Sequence, residues 1–434
     1  MRDNTKQRIA QLKNGEIPTG YKKTELGIFP CDWDLKPLES LLVFKNGVNA
    51  DKEKYNNGVK MISVIDVLSD LPIYYNSIEG QVDIDSSTLR SFGVTYGDIL
   101  FLRSSETSED AGKSNVYLDC NKTATYSGFV IRGKKNAEYD PFFLNESLRV
   151  SEVRNQIVRS AAGSQHFNVG QESLKKVVVP FAPLSEQAKI AEILITWDKA
   201  IELYKKQIEK LKQFKKICLK KMFPAKRQTV PEWRFKGFTG EWEKRRIVDC
   251  CFQLSSTLNP QDTPNDYYVE YSMLAFDNGE VPDTVLGKTM NSARRIIDKP
   301  CLLINKLNVR KKRIWYVEQP EENAVSSAEF VPVSSEIIDL YCLKQIVQEY
   351  SFTAYLENHS SGSSNSQKRV DPHVIMSATI AFPSKDEQIM IRAFFERLEG
   401  SIFLYQRKLE AEQKRRKALQ QYLLNGIVRV DEHR

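Results

Sequence analysis

The stretch Pro183–Lys206, PLSEQAKIAEILITWDKAIELYKK, returns in altered form at Ser384–Lys408 as SKDEQIMIRAFFERLEGSIFLYQRK. Glu186 and Gln187 match Glu387 and Gln388, Ile190 matches Ile391, Ile201 matches Ile402, and Tyr204 matches Tyr405. The offset is 201 at each position, with no gap. Apolar residues at Ile190, Leu194, Trp197, Ile201, Tyr204, Ile208, Leu211, Cys218 and Met222 alternate steps of four and three until Lys215 interrupts them. That is a heptad seam, the period of a helix that packs along another helix. The second copy keeps the seam through Ile391, Phe395, Leu398, Ile402, Tyr405 and Leu409. It breaks the seam at the same place, where Arg416 answers Lys215. Each helix would span about 57 Å at ~1.5 Å per residue. The pattern predicts that the two helices pair as a coiled coil.

Before each helix lies a stretch of interleaved strand-like and helical runs. VKMISVIDV, GDILFLR, YSGFVIRG and KKVVVPF belong to the first; YVEYSMLAF, CLLINKL, RIWYVE and IMSATIAF belong to the second. Each reads as a mixed α/β (α+β) globular unit. Trp33 opens the first and Trp242 the second, and Gly-Ser turns at Gly163 and Gly362 precede their ends. The expected boundaries are 1–20 for an N-terminal helix tail or arm, 21–182 for the first unit and 183–226 for the first helix. The second unit follows at 227–382 and the second helix with its tail at 383–434. The units form a pseudo-two-fold pair.

Composition narrows the class. Residues 205–227 carry ten Lys and Arg against Glu209 alone, and a second basic run, KLNVRKKRIW, spans 306–315. Together these make nucleic acid the leading partner class. The seven cysteines have no CxxC spacing, which fits reduced thiols in the cytoplasm. No apolar run approaches the ~20 residues of a membrane helix, and the N-terminal stretch is polar, so no membrane is expected. No phosphate-loop, dinucleotide-binding or metal-ligand motif is present, and no NPPY-like tetrad of the kind an amino-methylating enzyme uses. The chain is expected to be non-catalytic, with no metal.

These features resemble the DNA-specificity subunit of type I restriction–modification enzymes. The resemblance rests on GYKKTELGIFPCDW and RFKGFTGEW at the start of each unit, and on VVVPFAPLSEQAKIAEIL and ATIAFPSKDEQIMIRAFF at each joint. It rests also on LLINKLNVRKKRIWYV, SSAEFVPV and SGSSNSQKRVDPHVI in the second unit. The resemblance implies two target recognition domains, each reading one half of a split double-stranded DNA site. The two long helices would separate them as an antiparallel coiled coil and dock two methyltransferase subunits, with restriction subunits joining the complex; Lys215 and Arg416 would fix the register or face the methyltransferase partner. Glu186, Gln187, Ile190, Trp197, Ile201 and Tyr204, with Glu387, Gln388, Ile391, Ile402 and Tyr405, are the expected spacer and docking positions. S-adenosylmethionine, ATP and Mg would belong to the partner subunits and no cofactor to this chain. The rival classes are a coiled-coil scaffold that does not bind DNA and a degenerate DNA methyltransferase or nuclease fragment.

Base edges are read by Arg, Lys, Asn, Gln and Ser. In the first unit the candidates are Arg103, Ser104, Ser105, Ser164, Gln165, His166 and Asn168. In the second they are Lys306, Asn308, Arg310, Lys311, Lys312 and Arg313, with Ser363, Ser364, Ser366, Gln367, Lys368 and Arg369. The consecutive basic residues suit phosphates, which position a protein on the duplex without specifying sequence.

Overall fold

The computed structural model describes residues 3–49, 51–163, 166–225, 228–362 and 367–430. The chain divides into two compact units, Met1–Leu203 with Leu409–Arg434, and Tyr204–Lys408. The two long helices are Leu184–Lys221 and Lys385–Leu424, and each contributes one part to each unit.

In the first unit a four-stranded antiparallel sheet runs in the order Leu42–Asn46, Val130–Lys135, Ile99–Leu102, Ser114–Val116. The second unit repeats this order with Phe252–Gln253, Phe330–Ser334, Cys301–Asn305, Ile314–Val317. Of the central strands, Ile99–Leu102 is apolar throughout and Cys301–Asn305 is apolar up to its last residue, because both faces of each are covered. Side chains alternate between faces, so Ile99, Phe101 and Ile131 enter one core and Leu100, Leu102 and Val130 another. The second unit splits in the same way: Leu302, Ile304, Val331 and Val333 face one core, and Cys301, Leu303 and Phe330 the other. A two-stranded pairing closes each unit before its helix, Val178–Phe181 with Asp34–Pro37 and Thr379–Phe382 with Glu243–Arg246.

The repeated Glu-Gln pair anchors each helix start within its own unit. Gln187 Oε1 accepts from the Asp140 backbone N–H at 2.9 Å, and its Nε2 donates to the Ala182 carbonyl at 2.7 Å. Gln388 makes the same two bonds, from Asp339 N–H at 2.8 Å and to the Pro383 carbonyl at 3.0 Å. Asp140 and Asp339 in turn cap the helices Pro141–Ser147 and Leu340–Val347. An aspartate there satisfies an N–H that the first helical turn leaves without a partner.

The glutamates are equally enclosed. Glu186 accepts from Trp33 Nε1 and from Arg429 Nε, both at 2.8 Å, while Arg429 also grips Asp32. Glu387 holds Arg234 bidentately at 2.8 and 2.7 Å. In both units the arginine follows the end of one long helix and the glutamate starts the other. Burial opposes the charge of Arg429, yet the Glu186 and Asp32 carboxylates hold its pKa above the ordinary arginine value.

Glu186, Gln187, Glu387 and Gln388, expected at a docking surface, are therefore committed inside their own units. All four are buried, because a carboxylate or amide removed from water needs partners, and each has found them. Ile190, Ile201 and Ile391 are buried seam residues, whereas Trp197, Tyr204, Ile402 and Tyr405 are half-buried.

Within each unit the helix segments pair antiparallel. In the first unit Ile190 and Leu194 share a core with Leu423, and Asp198 meets Arg416. In the second, Tyr204 packs on Tyr405 with ring centroids 6.2 Å apart, Lys215 meets Glu399, and Phe223 packs on Phe395 at 6.0 Å. Lys215 and Arg416, the polar interruptions of the seam, thus both pair with carboxylates on the opposite helix.

Burial by itself would raise the pKa of Glu399, but Lys344, Lys215 and the Tyr341 hydroxyl outweigh it and leave the value lowered. A carboxylate depressed in the folded state contributes stability above its unfolded pKa of about 4.3 and loses it as pH falls through the folded value. Acid melting curves of the protein should show this loss, and Glu399→Gln should flatten it. An identical acid slope in the variant would contradict the assignment.

Candidate nucleic-acid interface

The candidate residues of each unit lie on two sequence segments about sixty residues apart, and the fold joins these segments. In the first unit Ser104–Ser105 pair antiparallel with Phe167–Asn168, with Ser105 opposite Phe167 and Ser104 opposite Asn168. The Val169 N–H donates to the Arg103 carbonyl at 3.0 Å, and Ser104 Oγ bonds Asn168 Oδ1. His166 and Asn168 are exposed, while Arg103, Ser104 and Ser105 are half-buried. The Arg103 guanidinium donates to the Gly128 carbonyl at 3.4 Å.

Arg154, absent from the sequence expectations, holds the loop that follows. Its Nη2 donates to the Glu109 carbonyl at 3.1 Å and to the Ala111 carbonyl. Gly112 lets the loop lie against Ile157: φ is +66°, and an added Cβ would fall 2.4 Å from Ile157 Cγ2. No local pattern could have announced Arg154, since it acts on backbone more than forty residues away.

The second unit joins its segments in the same way. Asn308 N–H donates to the Lys368 carbonyl and Val370 N–H to the Lys306 carbonyl, both at 2.9 Å, and Leu307 bridges to Arg369. Asn308 and Lys312 bracket the turn Val309–Lys311 in left-handed conformations, with φ of 51° and 46°. For a lysine this conformation is uncommon, and it persists where surroundings over-determine it. Here Lys312 Nζ donates to the Gln348 carbonyl at 2.8 Å, and its partial burial lowers the ammonium pKa.

The basic residues of this loop differ in availability. Lys311 and Gln367 are exposed, and Lys306, Asn308 and Lys368 are half-buried. Arg310 and Arg369 are exposed but meet Glu357 and Glu329, each at 2.7 Å. Arg313 departs from expectation: it is only 7% exposed and binds Asp277 bidentately at 2.7 and 2.6 Å. A buried guanidinium needs a carboxylate partner, and this one found it inside the unit. Ser164, Gln165, Ser363, Ser364 and Ser366 lie outside the described residues.

The two joined loop pairs differ in charge. The first carries Glu106, Glu109 and Asp110 beside Arg103 and Lys113; the second carries Lys306, Arg310, Lys311, Lys312, Lys368 and Arg369. One scaffold thus presents two unlike surfaces. Among the described residues no group of three or more His, Cys, Asp or Glu is placed to hold a metal ion. No helix there is long and apolar enough to cross a membrane.

Comparison with known proteins bears on this duplicated frame. Residues 30–213 match the family model described as the type I restriction modification DNA specificity domain. The putative type I restriction enzyme MjaX specificity subunit of Methanocaldococcus jannaschii is 32% identical over 209 residues, 47% of this chain. The match spans about half that relative's length, 48%. The MjaVIII specificity subunit of the same organism is 21% identical over 92% of this chain and 94% of its own length. Among solved structures, the type I restriction-modification S subunit from M. genitalium aligns with a TM-score of 0.56 at 14% identity, covering 90% of this chain and 96% of that one. A chain from work on complex assembly and conformational transition of the type I R-M system has the same TM-score and identity, covering 93% and 99%. The structural likenesses show a shared fold. The sequence matches show that the chain is similar to type I restriction–modification DNA specificity subunits, most directly over residues 30–213.

Proposed function

We propose that this chain reads a bipartite, asymmetric site in double-stranded DNA, one half with each unit. On this reading it works in the cytoplasm and is non-catalytic. It docks two methyltransferase subunits along the long helices, and restriction subunits complete the assembly. S-adenosylmethionine, ATP and Mg act in those partner chains. The observation that carries the proposal is the pairing of one repeated sheet frame with two unlike loop pairs. A site with two dissimilar halves needs readers of the same frame and different surface. The second loop pair, rich in Lys and Arg, suits phosphate contacts and guanine edges; Ser104, Ser105, His166 and Asn168 of the first suit neutral hydrogen bonding.

The direct test is to map methylated adenines genome-wide with and without this chain, its methyltransferase partners present. Two half-sites at a fixed spacing, lost when the chain is removed, are expected. Methylation unchanged by its removal would sink the proposal. A sharper result is expected from Lys368→Ala with Arg369→Ala: relaxed selectivity at the second unit's half-site, about 1–3 kcal/mol for each side chain that reads a base edge, with the other half unaffected. Equal weakening at both halves would mean that these residues serve only as general phosphate contacts.

A further inference from the structure

Each unit contains a three-way polar cluster that joins both long helices to the helix capped by Asp140 or Asp339. In the first unit Arg416 meets Asp198 of the other long helix at 2.9 Å through two atoms, and Glu146 of Pro141–Ser147 at 2.7 Å. In the second, Glu399 meets Lys215 of the other long helix at 2.6 Å. It also accepts from the Tyr341 hydroxyl of Leu340–Val347 at 2.5 Å, with Lys344 at 3.9 Å. The clusters are related by the sequence repeat, since 399 − 198 and 416 − 215 both equal 201. Their chemistry is permuted. An arginine on the second helix bridges two carboxylates in one unit, and a glutamate on the same helix bridges a lysine and a tyrosine in the other.

A seam position filled by charge contributes less stability than an apolar residue there, so hydrophobic packing does not explain the clusters. Directional bonds do what apolar contacts cannot: they penalise sliding along the seam and rotation of the globular helix on the helix pair. Asp198, Lys215 and Glu399 are about one-quarter exposed, so the clusters can be altered without stranding a charge in a core. Glu146 at 1%, Lys344 at 13% and Arg416 at 14% are more enclosed.

We infer that these two clusters are positioning devices that orient each reading unit on its helix pair, and so set how strictly the complex measures the spacing between half-sites. This rests on the bipartite-site reading proposed above. The residues that read bases would be elsewhere, in the loop pairs; the clusters act through them.

The test uses the full chain assembled with its methyltransferase partners and duplexes carrying both mapped half-sites at the native spacing, one base pair shorter and one longer. Wild type is expected to prefer the native spacing sharply. Lys215→Met and Tyr341→Phe in the second unit, and Asp198→Asn in the first, should each lower that preference roughly tenfold. Discrimination against base changes within the half-sites should stay intact. Lys215→Arg, which keeps the ion pair, should retain the wild-type spacing preference. The inference is overturned if the spacing preference is unchanged in the breaking variants. It is equally overturned if preference falls only in step with half-site discrimination, or if Lys215→Arg behaves like Lys215→Met. Failure of the wild-type complex to select any half-site would instead overturn the bipartite-site reading, and this inference with it.

Discussion

Inserting one heptad into each long helix, after Lys206 and after Arg407, should lengthen the preferred spacer by about three base pairs and leave both half-site sequences unchanged. Seven residues add ~10.5 Å at 1.5 Å per residue, and B-DNA advances about 34–36 Å per turn of 10–10.5 base pairs. A whole heptad returns the seam to the same face, so antiparallel pairing within each unit survives the insertion. On the native spacer only one unit could then engage. Specific binding exceeds non-specific binding by roughly 10³–10⁷, so loss of one half-site should cost on the order of a hundredfold or more in affinity. Titration of duplexes with graded spacers checks this. A changed half-site, or an unchanged optimal spacer, would mean that the helices do not measure the distance.

The second large effect concerns stability. Glu186→Ala removes the acceptor of the buried Trp33 indole and the main partner of Arg429, leaving Asp32 to hold the guanidinium. Glu387→Ala strips Arg234 of its bidentate carboxylate. Breaking a buried ion pair from one side costs about 3–5 kcal/mol, because the surviving charge keeps its desolvation penalty without compensation. Denaturant unfolding should show this loss for Glu387→Ala and a smaller one for Glu186→Ala, in which Asp32 still holds Arg429. A second asymmetry is expected. Trp33 donates to Glu186, whereas Trp242 Nε1 is buried with no hydrogen-bond partner among the described residues. Trp33→Phe should therefore destabilise more than Trp242→Phe, since a bond to a charged group is worth about 1.5–3 kcal/mol. A loss below ~1 kcal/mol for both glutamate variants would mean that the pairs are solvated and contribute little.

Much of this architecture was legible in the chain. The helix seam appears as a period of three and four because neighbouring turns of one helix meet the same surface. Its shared polar break, at Lys215 and Arg416, stands out for the same reason. The central strands GDILFLR and CLLINKL read as apolar runs because both their faces are covered. The candidate loops were legible as Gly-Ser and basic segments, but not as pairs. That Ser104 lies opposite Asn168, and Asn308 beside Lys368, follows from sheet order, which a local pattern does not encode.

The fate of individual charges was the least legible part. Arg310 and Arg313 sit in one basic run, yet one is on the surface beside Glu357 and the other is enclosed against Asp277. Glu186 and Gln187 were expected at a docking surface on the family resemblance; their bonds instead hold the helix start inside its own unit.

The sequence by itself determined the duplication, the two long helices, the mixed globules before them and the placement of basic segments. Each of these is written in residues close together along the chain. Only the tertiary structure decided which polar side chains face inward and which loops join. A side chain's burial and bonding depend on partners such as Arg429 and Glu186, 243 residues apart, and such pairs meet only when the fold is complete.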